Sequence, residues 1–162
     1  MRIMRLIPLD KGKFAKVDDE DFERVSKHDW KAVAARNGTA NPYAKTWIKG
    51  KGQLYMHHLV RRRKTRTDHK DGDSLNNQKY NLRSANAIQN GRNRKIQIHS
   101  APYKGVSFFK PTGRWQGRAS KNGNNVHLGY FSTPELAASA YDSYARTHYG
   151  EFSRTNQQIG VL

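Results

Sequence analysis

An Asp-His pair beside an Asp-Gly turn stands near the middle of the 162-residue chain. Asp68 and His69 are followed by Asn81, twelve residues after the histidine, and by Asn90, nine residues further on. Hydrolysis of a phosphodiester needs a base that takes a proton from water and a cation that absorbs charge on the phosphate. A neutral imidazole, whose usual pKa is about 6.5, suits the first task. The oxygens of Asp68 and Asn90 suit Mg²⁺ or Mn²⁺. The pattern therefore indicates metal-dependent phosphodiester hydrolysis.

These residues need a scaffold of the order strand, loop, strand, helix. Residues 65–70 are typical of a strand, and Asp71-Gly72-Asp73 is typical of a tight turn, so we interpret these two aspartates as turn residues rather than metal ligands. An Asn-rich loop leads to Asn81-Leu82-Arg83. A short helix with Ile88 and Asn90 follows, capped by Ser84 or Asn86.

Charge points to a polyanionic partner. The chain has 30 Lys and Arg against 13 Asp and Glu, a formal net charge of +17. Between Asp73 and Glu135 there is no acidic residue but there are ten basic ones. We therefore expect double-stranded DNA as partner, no membrane and no small-molecule substrate, and a monomer in the cytoplasm of a bacterial or phage-infected cell. The absence of cysteine excludes disulfides, thiolate catalysis and Cys-containing zinc sites.

The first sixty residues are predicted to form a β-rich platform. Residues 5–9 and 13–17 are typical of a hairpin, and a helix beginning at the acidic run 18–21 is expected to continue to about Asp29. Two more strands are predicted at 43–48 and 53–60.

The last third predicts three strands and a helix. The strands are expected at 104–110, 114–120 and 125–131. The helix is expected to begin at Thr133-Pro134 and to end at Gly150. Alternation on the middle strand places Trp115, Gly117 and Ala119 toward the helix and Arg114, Gln116, Arg118 and Ser120 away from it. Trp115 is interpreted as a core residue. Arg114 and Arg118 are free either to read bases or to contact phosphates only.

The run Asp68 to Arg83 closely resembles the signature of HNH homing endonucleases of phage type. Met56-His57-His58-Leu59-Val60 before it and the Asn90 segment after it resemble that signature too. The resemblance implies a ββα-metal fold in which Asp68 and Asn90 bind the metal and His69 is the general base. It also implies that Asn81 holds the loop that orients His69.

Two positions depart from that family pattern. Asn90 stands where the name has its last histidine, which resembles the H-N-N variant and favours Mg²⁺ or Mn²⁺ over Zn²⁺. His58 replaces an arginine of the family, and His57 matches the pattern and is interpreted as structural.

Residues 103–156 resemble the Apetala-type domain of plant ethylene-response factors. The resemblance is carried by Tyr103-Lys104-Gly105-Val106, Gly113-Arg114-Trp115, the run 127–131 and the run 137–142. It implies that the sheet lies in the major groove of DNA. His127 stands where those domains have a tryptophan, so their target sequence is not transferred.

Together these features predict an α+β protein: a β-rich platform with a ββα-metal nuclease motif, followed by a three-stranded antiparallel sheet packed on one helix. We expect an endonuclease domain at 1–96 (platform 1–60, metal motif 61–96), a basic linker at 97–102, the Apetala-type domain at 103–156 and a tail at 157–162. The side chains expected to contact DNA are Arg61, Arg62, Arg63, Arg83, Arg92, Arg94, Lys95, Lys104, Arg114, Gln116, Arg118, Ser120, Asn125 and His127.

The alternatives are a non-catalytic DNA-binding transcriptional regulator, which would have no use for Asp68, His69 and Asn90 together, and an RNA-binding protein. Nothing in the sequence decides between nicking and a double-strand break.

Overall fold

The computed structural model describes residues 3–34, 41–94 and 102–162, and the chain forms two compact units, 1–85 and 86–162. The described residues contain four α-helices and several small antiparallel sheets, an α+β arrangement. The division falls before the helix that carries Asn90, whereas the sequence predicts a boundary at 97–102. Residues 97–101 of that predicted linker lie outside the described residues.

Three small sheets build the first unit. A β1–β2 hairpin, a β3–β4–β5 sheet and a β6–β7 hairpin are each antiparallel. Their elements are β1 (Met4–Pro8), β2 (Phe14–Asp18), α1 (Asp19–Ser26), β3 (Lys31–Val33), β4 (Tyr43–Ile48), β5 (Gly52–Tyr55), α2 (Met56–Arg61), β6 (Thr67–His69) and β7 (Leu82–Ser84).

Helix α1 begins at the acidic run, as predicted, because Asp19, Glu20 and Asp21 in its first turn favour the positive end of the helix dipole. It ends at Ser26 rather than near Asp29. Trp30 lies beyond its end, and its indole N–H donates to the Val25 carbonyl at 2.8 Å.

The expected strand at 53–60 is wrong in its second half. The strand ends at Tyr55, and Met56–Arg61 form α2. Met56, Leu59 and Val60 recur at helical spacing, and Met56 and Val60 are buried in the core of this unit beside Val17 and Val25. In a strand the side chains of Leu59 and Val60 would point to opposite faces, so both could not pack against the same core.

The second unit carries one sheet of order β10–β9–β8. Asn86 rather than Ser84 caps its first helix, in a capping box with Gln89. No helix among the described residues is long and apolar enough to cross a membrane. The elements are α3 (Ala87–Arg92), β8 (Val106–Phe109), β9 (Arg114–Lys121), β10 (Asn124–Phe131) and α4 (Pro134–Tyr149).

Small residues let α4 lie close to the sheet, as the sequence predicts. A Cβ on Gly117 would lie 3.4 Å from the Ala137 carbonyl oxygen. Trp115 packs, partly buried, against the cluster of Val106, Ala137 and Ala138. Ala138 and Ala145 of the same helix are also fully buried.

A buried polar clasp closes the second unit. The Asp142 carboxylate accepts from the backbone N–H groups of Asn156 and Gln157, and Asn156 exchanges hydrogen bonds with the backbone of Lys104. Gln157, the first residue of the predicted tail, therefore takes part in this clasp.

Gly105 is the tightest glycine of this unit. Its φ is +76°, and an added Cβ would lie 2.0 Å from Cδ2 of Tyr141. Gly105→Ala is expected to lower the free energy of unfolding of the second unit by about 3 kcal/mol or more, because overpacking adds to backbone strain. Thermal unfolding measures the effect.

The matched control is Gly113→Ala, where φ is +63° but nothing lies within 4 Å of the added Cβ. It is expected to cost only the backbone term, about 1 kcal/mol. Equal losses in the two variants would contradict the packing argument.

Candidate active site

The hairpin β6–β7 holds the predicted catalytic pair. Asp68 lies opposite Arg83 and His69 opposite Leu82. The Asp68 carboxylate accepts from Arg83 Nε at 2.7 Å, and both side chains are buried. Arg83, predicted to contact DNA, is therefore engaged with the predicted metal ligand. That Arg83 also contacts DNA stays a prediction.

Asn81 closes the loop between the two strands. Its side-chain amide donates to the Asp71 carboxylate at 2.9 Å and to the Asn76 carbonyl at 2.8 Å, and its Oδ1 accepts from the Asp71 N–H at 3.0 Å. Its backbone carbonyl accepts from the Lys70 N–H. Asp71 and Asp73 each accept from a backbone N–H two residues on, which fits their interpretation as turn residues.

The same loop is docked on the first hairpin and helix. Lys16 exchanges backbone hydrogen bonds with Leu75 and Asn77. The Asp18 carboxylate accepts from Gln78 Nε2 and from the Lys79 N–H. The loop is thus held from both sides by strand and helix ends.

Asp18, Glu20 and Asp21 form the one cluster of three or more metal-type side chains within the described ranges, with ligand atoms within 4.8 Å of one another. It includes none of the predicted ligands. Lys79 lies 2.9 Å from Glu20 and 3.3 Å from Asp21, and Arg24 also pairs with Asp21. These ion pairs give the cluster a structural role, since they anchor the loop to α1.

Aromatic and imidazole rings surround His69. Its Nε2 lies 3.4 Å from Asn77 Oδ1, and its ring centroid lies 5.4 Å from that of His57 and 6.0 Å from that of Tyr43. His57 in turn contacts His58, with ring centroids 4.4 Å apart. Asn77, a residue of the Asn-rich loop, therefore touches the candidate base.

Burial sets the protonation of these histidines. Desolvation, together with the nearby His69, His58 and Arg61, lowers the pKa of His57 to about 2. Desolvation also lowers the pKa of His69, but the hydrogen bond that it donates to Asn77 Oδ1 and the charges of Asp71, Asp68 and Asp73 act to raise this pKa. His69 is thus held neutral, as a general base must be.

Access to the pair is restricted in this conformation. Asp68 is 3% exposed and His69 is 4% exposed. A phosphodiester can reach them only if covering side chains move. Asn90, the other predicted ligand, lies half-buried on α3, and its N–H bonds to the Asn86 carbonyl. Its part in a metal site stays a prediction.

The predicted DNA contacts of the first unit differ in exposure. Arg62 and Arg63 are exposed. The Arg61 guanidinium donates to Thr67 Oγ1 at 3.0 Å and to Ser84 Oγ at 2.7 Å, which ties α2 to both strands of the hairpin.

Two predicted contacts of the second unit have internal roles. The Lys104 ammonium donates to the carbonyls of Arg92, Arg94 and Arg154, and desolvation lowers its pKa to about 8. The Arg92 guanidinium lies 4.2 Å from the ring centroid of Tyr149. Arg94 is exposed, and Lys95 lies outside the described residues.

The outer face of the second sheet carries the other predicted contacts. Arg114, Arg118, Asn125 and His127 are exposed, and Ser120 is half-buried. Gln116 is buried between neighbours: it accepts from Arg118 Nε at 2.7 Å, and its Nε2 lies 2.8 Å from His127 Nδ1.

Aromatic side chains missed by the sequence analysis complete this face. Tyr130 lies opposite Gln116, and its ring contacts those of His127 and Phe109 at 4.7 and 5.1 Å. The strand bulge between His127 and Gly129 breaks the simple alternation that the sequence analysis assumed.

Comparison with known proteins bears on each part. A 61-residue segment, 38% of this chain, is 41% identical to part of an AP2-like ethylene-responsive transcription factor of Arabidopsis thaliana. A 46-residue segment, 28% of the chain, is 46% identical to part of the rice APETALA2-like protein 2. The matches span only 13% and 11% of those plant proteins. One portion of the chain is therefore similar to a DNA-binding class of domain.

Nearly the whole chain aligns with a viral protein. Over 158 residues it is 30% identical to an uncharacterised HNH endonuclease of Acanthamoeba polyphaga mimivirus, covering 94% of this chain and 79% of that protein. The chain belongs to the HNH endonuclease family. No family model and no solved structure matches it.

The depressed pKa of His57 has a consequence for stability. Unfolding returns the pKa from about 2 to 6.5, so below pH 6.5 the unfolded chain binds a proton that the folded chain excludes. The free energy of unfolding of the first unit is therefore expected to decrease as the pH is lowered below 6.5. This residue contributes up to about 1.4 kcal/mol per pH unit.

Urea unfolding between pH 7.5 and pH 5, followed by fluorescence of the buried Trp30 in a background with Trp47→Phe and Trp115→Phe, measures this slope. His57→Gln is expected to reduce this slope by up to about 1.4 kcal/mol per pH unit, the contribution of one proton. The contributions of His58 and His69 to the slope remain. An unchanged slope in His57→Gln would contradict the assignment.

Proposed function

We propose that this protein is a DNA endonuclease that hydrolyses phosphodiester bonds with the help of Mg²⁺ or Mn²⁺, and that the sheet of its second unit positions it on double-stranded DNA. The observation that carries the proposal is the buried Asp68-His69 pair on a hairpin whose loop is closed by Asn81. Burying polar and charged groups costs free energy, and proteins tolerate this cost mainly at functional sites.

His69 is the proposed general base. Asn77 Nδ2 donates to the Leu75 carbonyl at 3.1 Å, which turns Asn77 Oδ1 toward His69 Nε2. An amide oxygen accepts, so it favours the tautomer with the proton on Nε2 and makes Nδ1 the basic nitrogen. Nδ1 would then take the proton of the attacking water.

Asp68 is the proposed metal ligand of this hairpin. Its oxygens are the hard donors that Mg²⁺ and Mn²⁺ prefer, and Arg83 Nε donates to one of them at 2.7 Å. Asn90 is proposed as a further ligand on the family resemblance alone. When bound, the cation would stabilise charge on the phosphate and on the leaving oxygen.

The resemblance to homing endonucleases extends the proposal to an enzyme of a phage or other mobile element. The second candidate function is a non-catalytic DNA-binding regulator. The 4% exposure of His69 and the pairing of Asp68 with Arg83 are the observations that favour it.

Removal of the base tests the enzyme. Purified full-length protein is expected to cut plasmid DNA when Mg²⁺ or Mn²⁺ is present and not in EDTA. His69→Ala is expected to lower the rate by about a hundredfold or more, because general-base catalysis contributes that much. Affinity for DNA in EDTA should stay near wild type.

The control is His148→Ala, because His148 is exposed on α4 and stacks on Tyr144. It should cut normally. Intact plasmid with wild-type protein across a range of both metals, with binding retained, would decide for the regulator. Equal cutting by wild type and His69→Ala would remove His69 from the mechanism.

The outer face of the second sheet gives a separate prediction. Arg114→Ala is expected to weaken DNA binding, and if Arg114 contacts a phosphate the slope of log affinity against log salt concentration should fall by about 0.9. Base reading would instead relax sequence preference at one position and leave that slope nearly unchanged.

Arg146→Ala provides the charge-matched control, since Arg146 is exposed on α4, which packs on the opposite face of the sheet. Affinity and slope should change less than in Arg114→Ala. Equal effects at the two positions would show that only net charge matters.

A further inference from the structure

The sheet β3–β4–β5 of the first unit has one face in the core and one outside it. Ala32, Ala44 and Leu54 pack in the core. Strand register places the alternate residues together on the other side. This outer face consists of Lys31, Val33, Tyr43, Lys45, Trp47, Gln53 and Tyr55.

Trp47 stands out on this face. It is 70% exposed, the highest value among the large apolar side chains that the structure describes. Val33 on the same face is 38% exposed. A tryptophan in such a position exposes a large apolar area to water, and tryptophans are enriched in binding interfaces.

The charge around Trp47 is of one sign. From 30 to 67 the sequence has no acidic residue and ten Lys or Arg. Lys31, Lys45, Lys49 and Lys51 lie on or beside the outer face, and the Lys45 ammonium lies 4.6 Å from the ring centroid of Tyr55. This mixture of aromatic rings and lysines is complementary to a polyanion that also offers apolar surface.

The outer face runs directly to the candidate active site. The ring of Tyr55 contacts those of His57 and His58, at 5.2 and 5.3 Å, and Tyr43 contacts His69. Trp47 lies four residues along β4 from Tyr43. At about 3.3 Å per strand residue this is about 13 Å, or about four base pairs of DNA.

We infer that the outer face of β3–β4–β5 is a second DNA-binding surface, on the nuclease unit itself. Trp47 packs there against sugars and base edges of the duplex about four base pairs from the cleaved phosphate, and the lysines beside it contact the backbone. The position relative to the cut rests on the proposed function, whereas the binding of DNA to this face does not.

Tryptophan fluorescence tests the contact in the full-length protein. The chain has three tryptophans, of which Trp30 is 4% exposed and Trp115 is partly buried. Acrylamide quenching is measured with and without a saturating 30-base-pair duplex, in EDTA so that no cleavage interferes. The difference between wild type and Trp47→Phe isolates the emission of Trp47, which is expected to become protected when DNA binds.

Affinity provides the second readout. Trp47→Ala is expected to weaken duplex binding by about tenfold, in the range found for aromatic contacts to bases, and Trp47→Phe by less. Phe14→Ala is the matched control, because Phe14 is 53% exposed on β2. Lys45→Gln is likewise expected to weaken duplex binding more than its control Lys13→Gln, because Lys45 lies on the outer face.

Each outcome decides. A Trp47 that stays open to acrylamide in the complex, with unchanged affinity of Trp47→Ala, overturns the inference. Concentration-dependent protection without DNA, together with a doubled mass in light scattering, overturns it in favour of a second copy of the chain. If DNA protects Trp47 but the protein does not cut DNA with Mg²⁺ or Mn²⁺, the DNA-binding surface is supported and the nuclease proposal is wrong. If the protein cuts DNA but substitution of Trp47 changes neither binding nor cutting, the nuclease proposal is supported and this surface is wrong.

Discussion

Asn81 has its whole side chain engaged behind the candidate site. It bonds the backbone N–H and the carboxylate of Asp71 and the backbone carbonyl of Asn76, and it is 1% exposed. Removing one partner of such a buried set leaves other polar groups without a bond, at about 1–3 kcal/mol each. The position of Asn77, and so the contact to His69, follows from this closure. The docking of the loop on Lys16 and Asp18 also presupposes the loop shape that Asn81 maintains.

Four of the thirteen acidic residues are placed so that they neutralise charges inside the fold rather than on the outer surface. Asp18, Asp21, Asp68 and Asp142 are all buried, and each accepts bonds from the chain's own N–H or cationic groups. A buried carboxylate is stable only with such partners. These four carboxylates therefore do not offset positive charge at the surface.

Local patterns predicted most of the secondary structure because the signals are local. The acidic start of α1, the Thr133 cap of α4 and the alternation of β9 each depend on neighbours within a few residues. The helix at 56–61 was missed because a strand with alternating signals runs straight into it. The pairing of Asp68 with Arg83 and the burial of Lys104 depend on contacts between distant segments, which spacing along the chain does not encode. The acid-free stretch at 30–67 is visible in the sequence, but only strand register shows which of its lysines share a face with Trp47.

His57 and His69 show how surroundings separate a structural histidine from a candidate base. Both are buried, and desolvation lowers the pKa of each. Around His57 every further influence comes from cations or imidazoles and lowers the pKa again, so that this ring cannot take a proton near neutral pH. Around His69 three aspartates and an amide oxygen act in the opposite direction and preserve basicity. A base must be neutral before the reaction and yet accept a proton during it. The Asp-rich turn that the sequence explains as a device for reversing the chain therefore also supplies the negative charge that would stabilise a protonated His69.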